Sequence, residues 1–154
     1  MIVRPLGAAD IPALSAAVAA LPLMRRYGRT AAALARDWER AAARGEMLFA
    51  AVAGEDAVGI AWGLTGGTLG LGGYLRLLAV RESAHRCGAG RALLSAYETA
   101  VVAAGSTHAF LLVSEFNVEA QRFYEHAGYR RVGALPALVQ PDLTEVLYWK
   151  PIGT

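Results

Sequence analysis

The sequence contains one cysteine, one lysine and three histidines among 154 residues, and each scarcity excludes something. A lone Cys87 cannot form an intrachain disulfide, and no Cys/His cluster has metal-ligand spacing. No metal is therefore expected, and a reducing, cytoplasmic setting is the default. Long apolar runs are also missing. A membrane span needs roughly 18 uninterrupted apolar residues, whereas the richest early stretch, Ile11 to Met24, is broken by Pro12, Ser15 and Pro22. That stretch makes a poor secretory signal, since only Arg4 precedes it and Asp10 stands at its mouth. Clustered positive charge is lacking too. The formal net charge is +2, and the arginines are scattered apart from the pairs Arg25–Arg26 and Arg130–Arg131. Nucleic-acid binding would want a basic stripe with interleaved aromatics. Neither a nucleic acid nor a membrane is an expected partner.

What is present is apolar residue, 55% of the chain, with a mean hydropathy of +0.34. That excludes disorder, although 32 alanines inflate both figures without supplying large side chains. No linker, low-complexity run or internal repeat divides the sequence. A single domain over residues 1–154 is expected, long enough to bury about two-thirds of its unfolded surface.

Periodicity and punctuation suggest the order β-α-α-β-β-β-α-β-α-β-β, a mixed α/β (α+β) domain around one largely antiparallel sheet. Asp10 reads as the cap of a first helix with Pro12 in its first turn, and Thr30 as the cap of a second helix that ends before Gly45. Two strands over 47–53 and 57–64 meet at Gly54-Glu55-Asp56, and 65–73 reads as a glycine-rich turn. Tyr74 to Val80 is apolar on both faces except at Arg76, as a central strand would be. A helix over 90–104 separates it from the apolar strand 108–114, which makes that pair the expected parallel crossover. Asn117 caps a helix that closes at Gly128, and two strands, 129–135 and 143–150, follow.

The glycines of His85-Arg86-Cys87-Gly88-Ala89-Gly90 lie between a buried strand and a helix start. Positive φ there lets successive N–H groups point into one concavity, and the helix adds free N–H groups and the positive end of its dipole. Such a turn suits a pyrophosphate, with Arg86 and Arg91 adding charge. Two glycines at a strand–helix turn also occur for purely structural reasons. A Walker loop is excluded for want of its lysine. A dinucleotide fingerprint is demoted by Leu93 at the third glycine position and by Phe110 and Leu111 where an acid is required.

A second motif follows in Asn117-Val118-Glu119-Ala120-Gln121-Arg122-Phe123-Tyr124, with Gly128-Tyr129 after it. Together the two motifs resemble those of the GNAT-type N-acetyltransferase superfamily, R/Q-x-x-G-x-G/A after a fourth strand and N-x-x-A-x-x-F-Y-x-x-x-G-F/Y after a fifth. The resemblance covers essentially the whole chain. It implies a mixed sheet with a parallel, splayed fourth and fifth strand pair and about four helices. It also implies acetyl-CoA as co-substrate and a small-molecule or peptide amine as acceptor, and homodimers are common in the family.

By the same resemblance, Leu78, Ala79 and Val80 would pair with the pantetheine, and backbone N–H groups of Arg86, Cys87, Gly88, Ala89, Gly90 and Arg91 would hold the pyrophosphate. Asn117 would lie near the pantetheine and Tyr124 near the sulfur. Catalysis needs an acid for the departing thiolate, for which the Tyr124 hydroxyl is the candidate against a mere packing role. His85 stands where the family has arginine or glutamine, and Tyr74 where many relatives carry a glutamate base. Glu115 could serve as that base or be a solvated strand-end carboxylate. Cys87 could be a covalent nucleophile, but the resemblance favours direct transfer. Trp38, Trp62 and Tyr74 are candidates for an acceptor wall or for the core. Arg25, Arg26 and Arg29 could favour an acceptor carrying a carboxylate or form a solvated charge run. A non-catalytic acyl-CoA-binding or interaction module on the same fold is the competing reading.

Overall fold

The apolar strand expected at 74–80 lies at the centre of a seven-stranded sheet in the computed structural model, which describes residues 1–153. In chain order the strands are β1 (Ile2–Pro5), β2 (Met47–Ala53), β3 (Asp56–Thr68), β4 (Gly72–Val80), β5 (His108–Ser114), β6 (Arg130–Pro136) and β7 (Thr144–Pro151). The helices are α1 (Ile11–Ala19), α2 (Pro22–Arg26), α3 (Ala31–Ala43), α4 (Ala89–Ala103) and α5 (Val118–His126). The strands lie in the order β1-β2-β3-β4-β5-β7-β6, all neighbours antiparallel except β4 and β5. The parallel pair is joined through α4, as the crossover pattern requires.

Two departures from the sequence reading have local causes. The stretch 65–73 is mostly strand: β3 runs to Thr68, β4 begins at Gly72, and the turn is confined to three residues. Glycine lowers strand propensity, but the ladder between Thr68 and Gly72 overrides it. Proline at the first helical position also starts a fifth helix, the short α2, where only a connection was expected.

Caps set several boundaries. Thr30 accepts from the Ala33 N–H at 3.1 Å, and Asn117 accepts from the Ala120 N–H at the same distance. Asp10 does not cap α1 with its side chain. Its carboxylate instead takes both Arg4 guanidinium nitrogens at 2.7 and 2.9 Å and the Gly7 N–H at 2.7 Å. The Arg4 hydrogen bonds, helped by Gly7, hold this carboxyl below the usual carboxylate range against the opposing effect of burial.

A depressed folded-state pKa contributes stability above the unfolded value, which is about 3.9 for aspartate. The contribution is lost as pH falls through the lower folded value. Asp10→Ala is expected to melt about 2–4 °C below the wild type at pH 7, on the scale of a lost cap. That gap should narrow below about pH 4. Melting curves at both pH values check this.

The sheet separates two cores. One face packs Leu93, Tyr97 and Val101 of α4 and Tyr124 of α5 against Leu75, Leu111, Val113, Val146 and Tyr148. The other packs Leu14 and Val18 of α1, Met24 of α2 and Leu34 and Trp38 of α3 against Leu48, Ile60 and Trp62. Alternation along the strands, period two, sends successive side chains to opposite cores.

Candidate active site

The site begins where β4 leaves β5. The two strands pair over only four positions, from Gly72↔His108 to Leu75↔Leu111. Across the other side of β4, Trp62 pairs with Leu77 and Gly63 with Leu75, so Arg76 has no counterpart and forms a bulge. A bulge bends its strand and ends pairing. Beyond it Leu77 to Val80 retain β3 as partner but not β5. One edge of β4 is thereby left with backbone groups available to an extended ligand.

Two cavities occupy the opening. The larger, about 860 Å³, runs from the turn before α4 along Leu78, Ala79 and Val80 to Asn117 and Tyr124 of the α5 region. The smaller, about 250 Å³, lies between Leu75–Leu78 of β4 and Leu112–Ser114 of β5. They share Leu23, Met24, Leu78, Asn117, Ala120 and Tyr124.

At the outer end, Arg86 and Gly88 are both left-handed, with φ of +61° and +86°. Alternating them with Cys87 and Ala89 curves the backbone so that N–H groups converge, and the first turn of α4 adds its own unpaired donors. A Cβ at Gly88 would meet nothing within 4 Å, so its requirement is conformational, while Gly90 lies inside α4 at ordinary φ. Arg86 and Arg91 are exposed and line the cavity. The concavity, its donors and its charge fit a pyrophosphate.

The expected site residues fall into distinct positions. His85 lines the cavity, but its Nε2 bonds the Val80 carbonyl at 2.7 Å, tying the turn to the end of β4. Cys87 contributes no wall; its exposed thiol donates to the Ala84 carbonyl at 2.6 Å. Asn117 lines both cavities, with its Oδ1 already committed to capping α5. Tyr124 is 8% exposed and stands edge-on to Phe123 and Tyr129. Burial alone raises its pKa, so the hydroxyl keeps its proton. Glu115 is exposed and lines neither cavity. Trp62 does line the smaller one, Tyr74 lines neither, and Trp38 is fully buried in the core.

Three residues that the motifs did not suggest meet in the smaller cavity. Ser114 on β5 is opposite Glu145 on β7, and Tyr27, just after α2, reaches both. The Tyr27 hydroxyl donates to Glu145 Oε2 and lies 2.5 Å from Ser114 Oγ, whose proton completes the chain. Burial and the bond to Glu145 push the Tyr27 hydroxyl up to about 12. Gln140, in the β6–β7 loop, donates to the Tyr27 carbonyl at 3.0 Å and holds the segment. A signal for Glu145 was present: along β7 it shares a face with Leu147, opposite to the core residues Val146 and Tyr148.

Two of the early arginines line the cavities, Arg26 the larger and Arg29 the smaller. Arg29 pairs with Asp37, and Arg26 lies 5.1 Å above the Phe116 ring. Among the described residues no group of three or more His, Cys, Asp or Glu could hold a metal ion. No helix among them is long and apolar enough to cross a membrane.

The fold defines the class: a mixed seven-stranded sheet split at a parallel β4–β5 pair is the acetyltransferase fold. Solved structures share it over nearly their full length. Ard1 from Thermoplasma volcanium superposes with a TM-score of 0.81 at 23% identity, covering 99% of this chain and 98% of that one. An aminoglycoside 6'-N-acetyltransferase complexed with coenzyme A gives 0.79 at 20% identity, covering 100% and 98%. The yncA protein from Salmonella typhimurium, with its cofactor acetyl-CoA, gives 0.75 at 13% identity, covering 99% and 94%. The model of the Acetyltransferase (GNAT) family matches residues 17–129. The chain belongs to the GNAT acetyltransferase family. A comparison with curated proteins finds no sequence match.

Proposed function

We propose that the protein transfers the acetyl group of acetyl-CoA to a primary amine by direct attack within a ternary complex. The observation carrying this reading is the junction of the two cavities at Leu78, Asn117 and Tyr124. One cavity leads to an anion-binding turn and the other to a separate pocket of small volume, so donor and acceptor can approach one point from opposite ends. The coenzyme-bound neighbours support the choice of donor.

In this reading the backbone donors from Arg86 to Arg91 hold the pyrophosphate, and the unpaired edge of β4 at Leu78, Ala79 and Val80 takes the pantetheine amides. Acetyl-CoA supplies an activated thioester. A backbone N–H at Ala79 or Val80 serves the developing oxyanion. The acceptor attacks as the neutral amine. As the C–N bond forms and the C–S bond breaks, Tyr124, kept protonated by burial, donates to the departing thiolate, and the proton released from the amine nitrogen passes to water and restores the tyrosine. The exposed Glu115 receives no role, because it lies outside both cavities.

Titration with acetyl-CoA in a calorimeter is expected to give saturable binding in the micromolar range, the range common to enzyme substrates. An absence of binding at millimolar concentration would sink the reading. Release of free CoA across a panel of amines tests catalysis itself. Binding without release would favour the non-catalytic module.

A further inference from the structure

The smaller cavity contains a charge without a counter-charge. Glu145 is 5% exposed, and its Oε2 accepts from Tyr27. Its Oε1 has no protein hydrogen-bond partner, and it is not among the buried side-chain atoms that are sealed from solvent without one. In a residue so deeply buried, that oxygen opens onto the cavity it lines. No Arg, Lys or His lies within ion-pairing distance of Glu145 among the described residues.

The two guanidiniums that line the same cavity do not answer it. Arg29 is taken by Asp37. Arg76 lies 4.5 Å above the Trp62 ring and 3.8 Å from Glu46. A buried carboxylate is costly unless paired and hydrogen-bonded. Here the hydrogen bond from Tyr27 is in place and the cation is not.

We propose that Glu145, held by the Tyr27–Ser114 hydroxyl chain, is the acceptor subsite and that it takes a compact primary ammonium whose remaining body is apolar. The apolar body follows from the walls: Met24, Leu34, Trp62, Leu75, Leu77 and Leu112. The compactness follows from the volume, about 250 Å³. A carboxylate on the acceptor is disfavoured, because it would enter beside the buried Glu145 carboxylate. The subsite rests on the acetyltransferase reading only for its name as the acceptor's. As a site for an ammonium it stands on its own geometry.

Calorimetry of three ligands sharing one alkyl chain tests it on the full chain, with and without saturating CoA. n-Pentylamine carries the charge, 1-pentanol lacks it, and L-norleucine adds a carboxylate. The amine should bind at least tenfold more tightly than either analogue. Glu145→Gln should weaken pentylamine binding at least tenfold, with pentanol binding unchanged and CoA affinity within about twofold.

Equal binding of pentylamine and pentanol would overturn the proposal, as would norleucine binding as tightly as the amine. Wild-type affinity for pentylamine in Glu145→Gln would do the same. Should the variant fail to fold, the wild-type comparison of the three ligands decides alone. Loss of CoA binding with amine selectivity intact would instead strike the acetyltransferase reading and leave the ammonium site standing.

Discussion

Tyr124→Phe is expected to lower turnover roughly 100-fold, the lower end of what a positioned general acid contributes, while acetyl-CoA affinity stays within about twofold. The reasoning is a separation of two roles in one side chain. The ring packs against Phe123 and Tyr129 at centroid distances of 5.1 and 5.7 Å, and phenylalanine retains that packing. Only the hydroxyl is lost, at the point where both cavities meet. A thiolate leaving without a proton donor raises the barrier by about 2.7 kcal/mol for that rate change. Because burial raises the Tyr124 pKa, the donor form persists above neutral pH, and no alkaline loss of activity below about pH 10 should trace to this group. Steady-state kinetics beside calorimetry measures both quantities. Turnover reduced less than threefold would remove the acid role, and reduced affinity with unchanged turnover would make Tyr124 a binding residue.

Gly63→Val should produce a large loss of stability. A Cβ at Gly63 would sit 2.5 Å from the Tyr74 carbonyl oxygen and 3.2 Å from the Leu75 Cα. Both are backbone atoms, so no side-chain rotation relieves the clash. Gly63 also lies opposite the Arg76 bulge, where the sheet must hold β4 close before it parts from β5. Overpacking of this kind costs about 3 kcal/mol, which for a chain of this size lowers the melting temperature by roughly 6–12 °C. Gly133→Ala is the control: it lies in β6 with nothing within 4 Å of an added Cβ, and its melting temperature should stay within about 2 °C of the wild type. If Gly63→Val melts with the wild type, the close approach of β3 and β4 is not a constraint.

The elements that the sequence made legible share a physical trait: their signals are local. Thr30 and Asn117 cap the helices they precede, and the apolar strands at 74–80 and 108–114 are parallel neighbours as their connecting helix requires. The turn before α4 was legible for the same reason, since Gly88 adopts the positive φ that a strand–helix turn demands. The Asp10 carboxylate was harder to place. A capping aspartate and one recruited by Arg4 look alike in sequence, and only the return of β1 beside it distinguishes them.

The cluster around Glu145 was not legible as a motif because its parts are distant in the chain. Tyr27 and Glu145 are separated by 118 residues, and Tyr27 and Ser114 by 87. No motif spans such distances. They meet because β5 lies next to β7 in the sheet and α2 delivers Tyr27 onto their common face. Glu115, adjacent to Ser114 in sequence, is exposed in the turn after β5 and lines neither cavity.

The few cysteines, lysines and histidines with which the sequence excluded so much leave chemistry to tyrosine, carboxylate and backbone. The family and the positive-φ turn before α4 were carried by short-range patterns of glycine, asparagine and tyrosine, whose effects act within a turn or two of the chain. The burial of Glu145 beside the smaller cavity was decided only by the sheet order, because burial and unpaired charge are properties of what surrounds a residue and not of its neighbours in the chain.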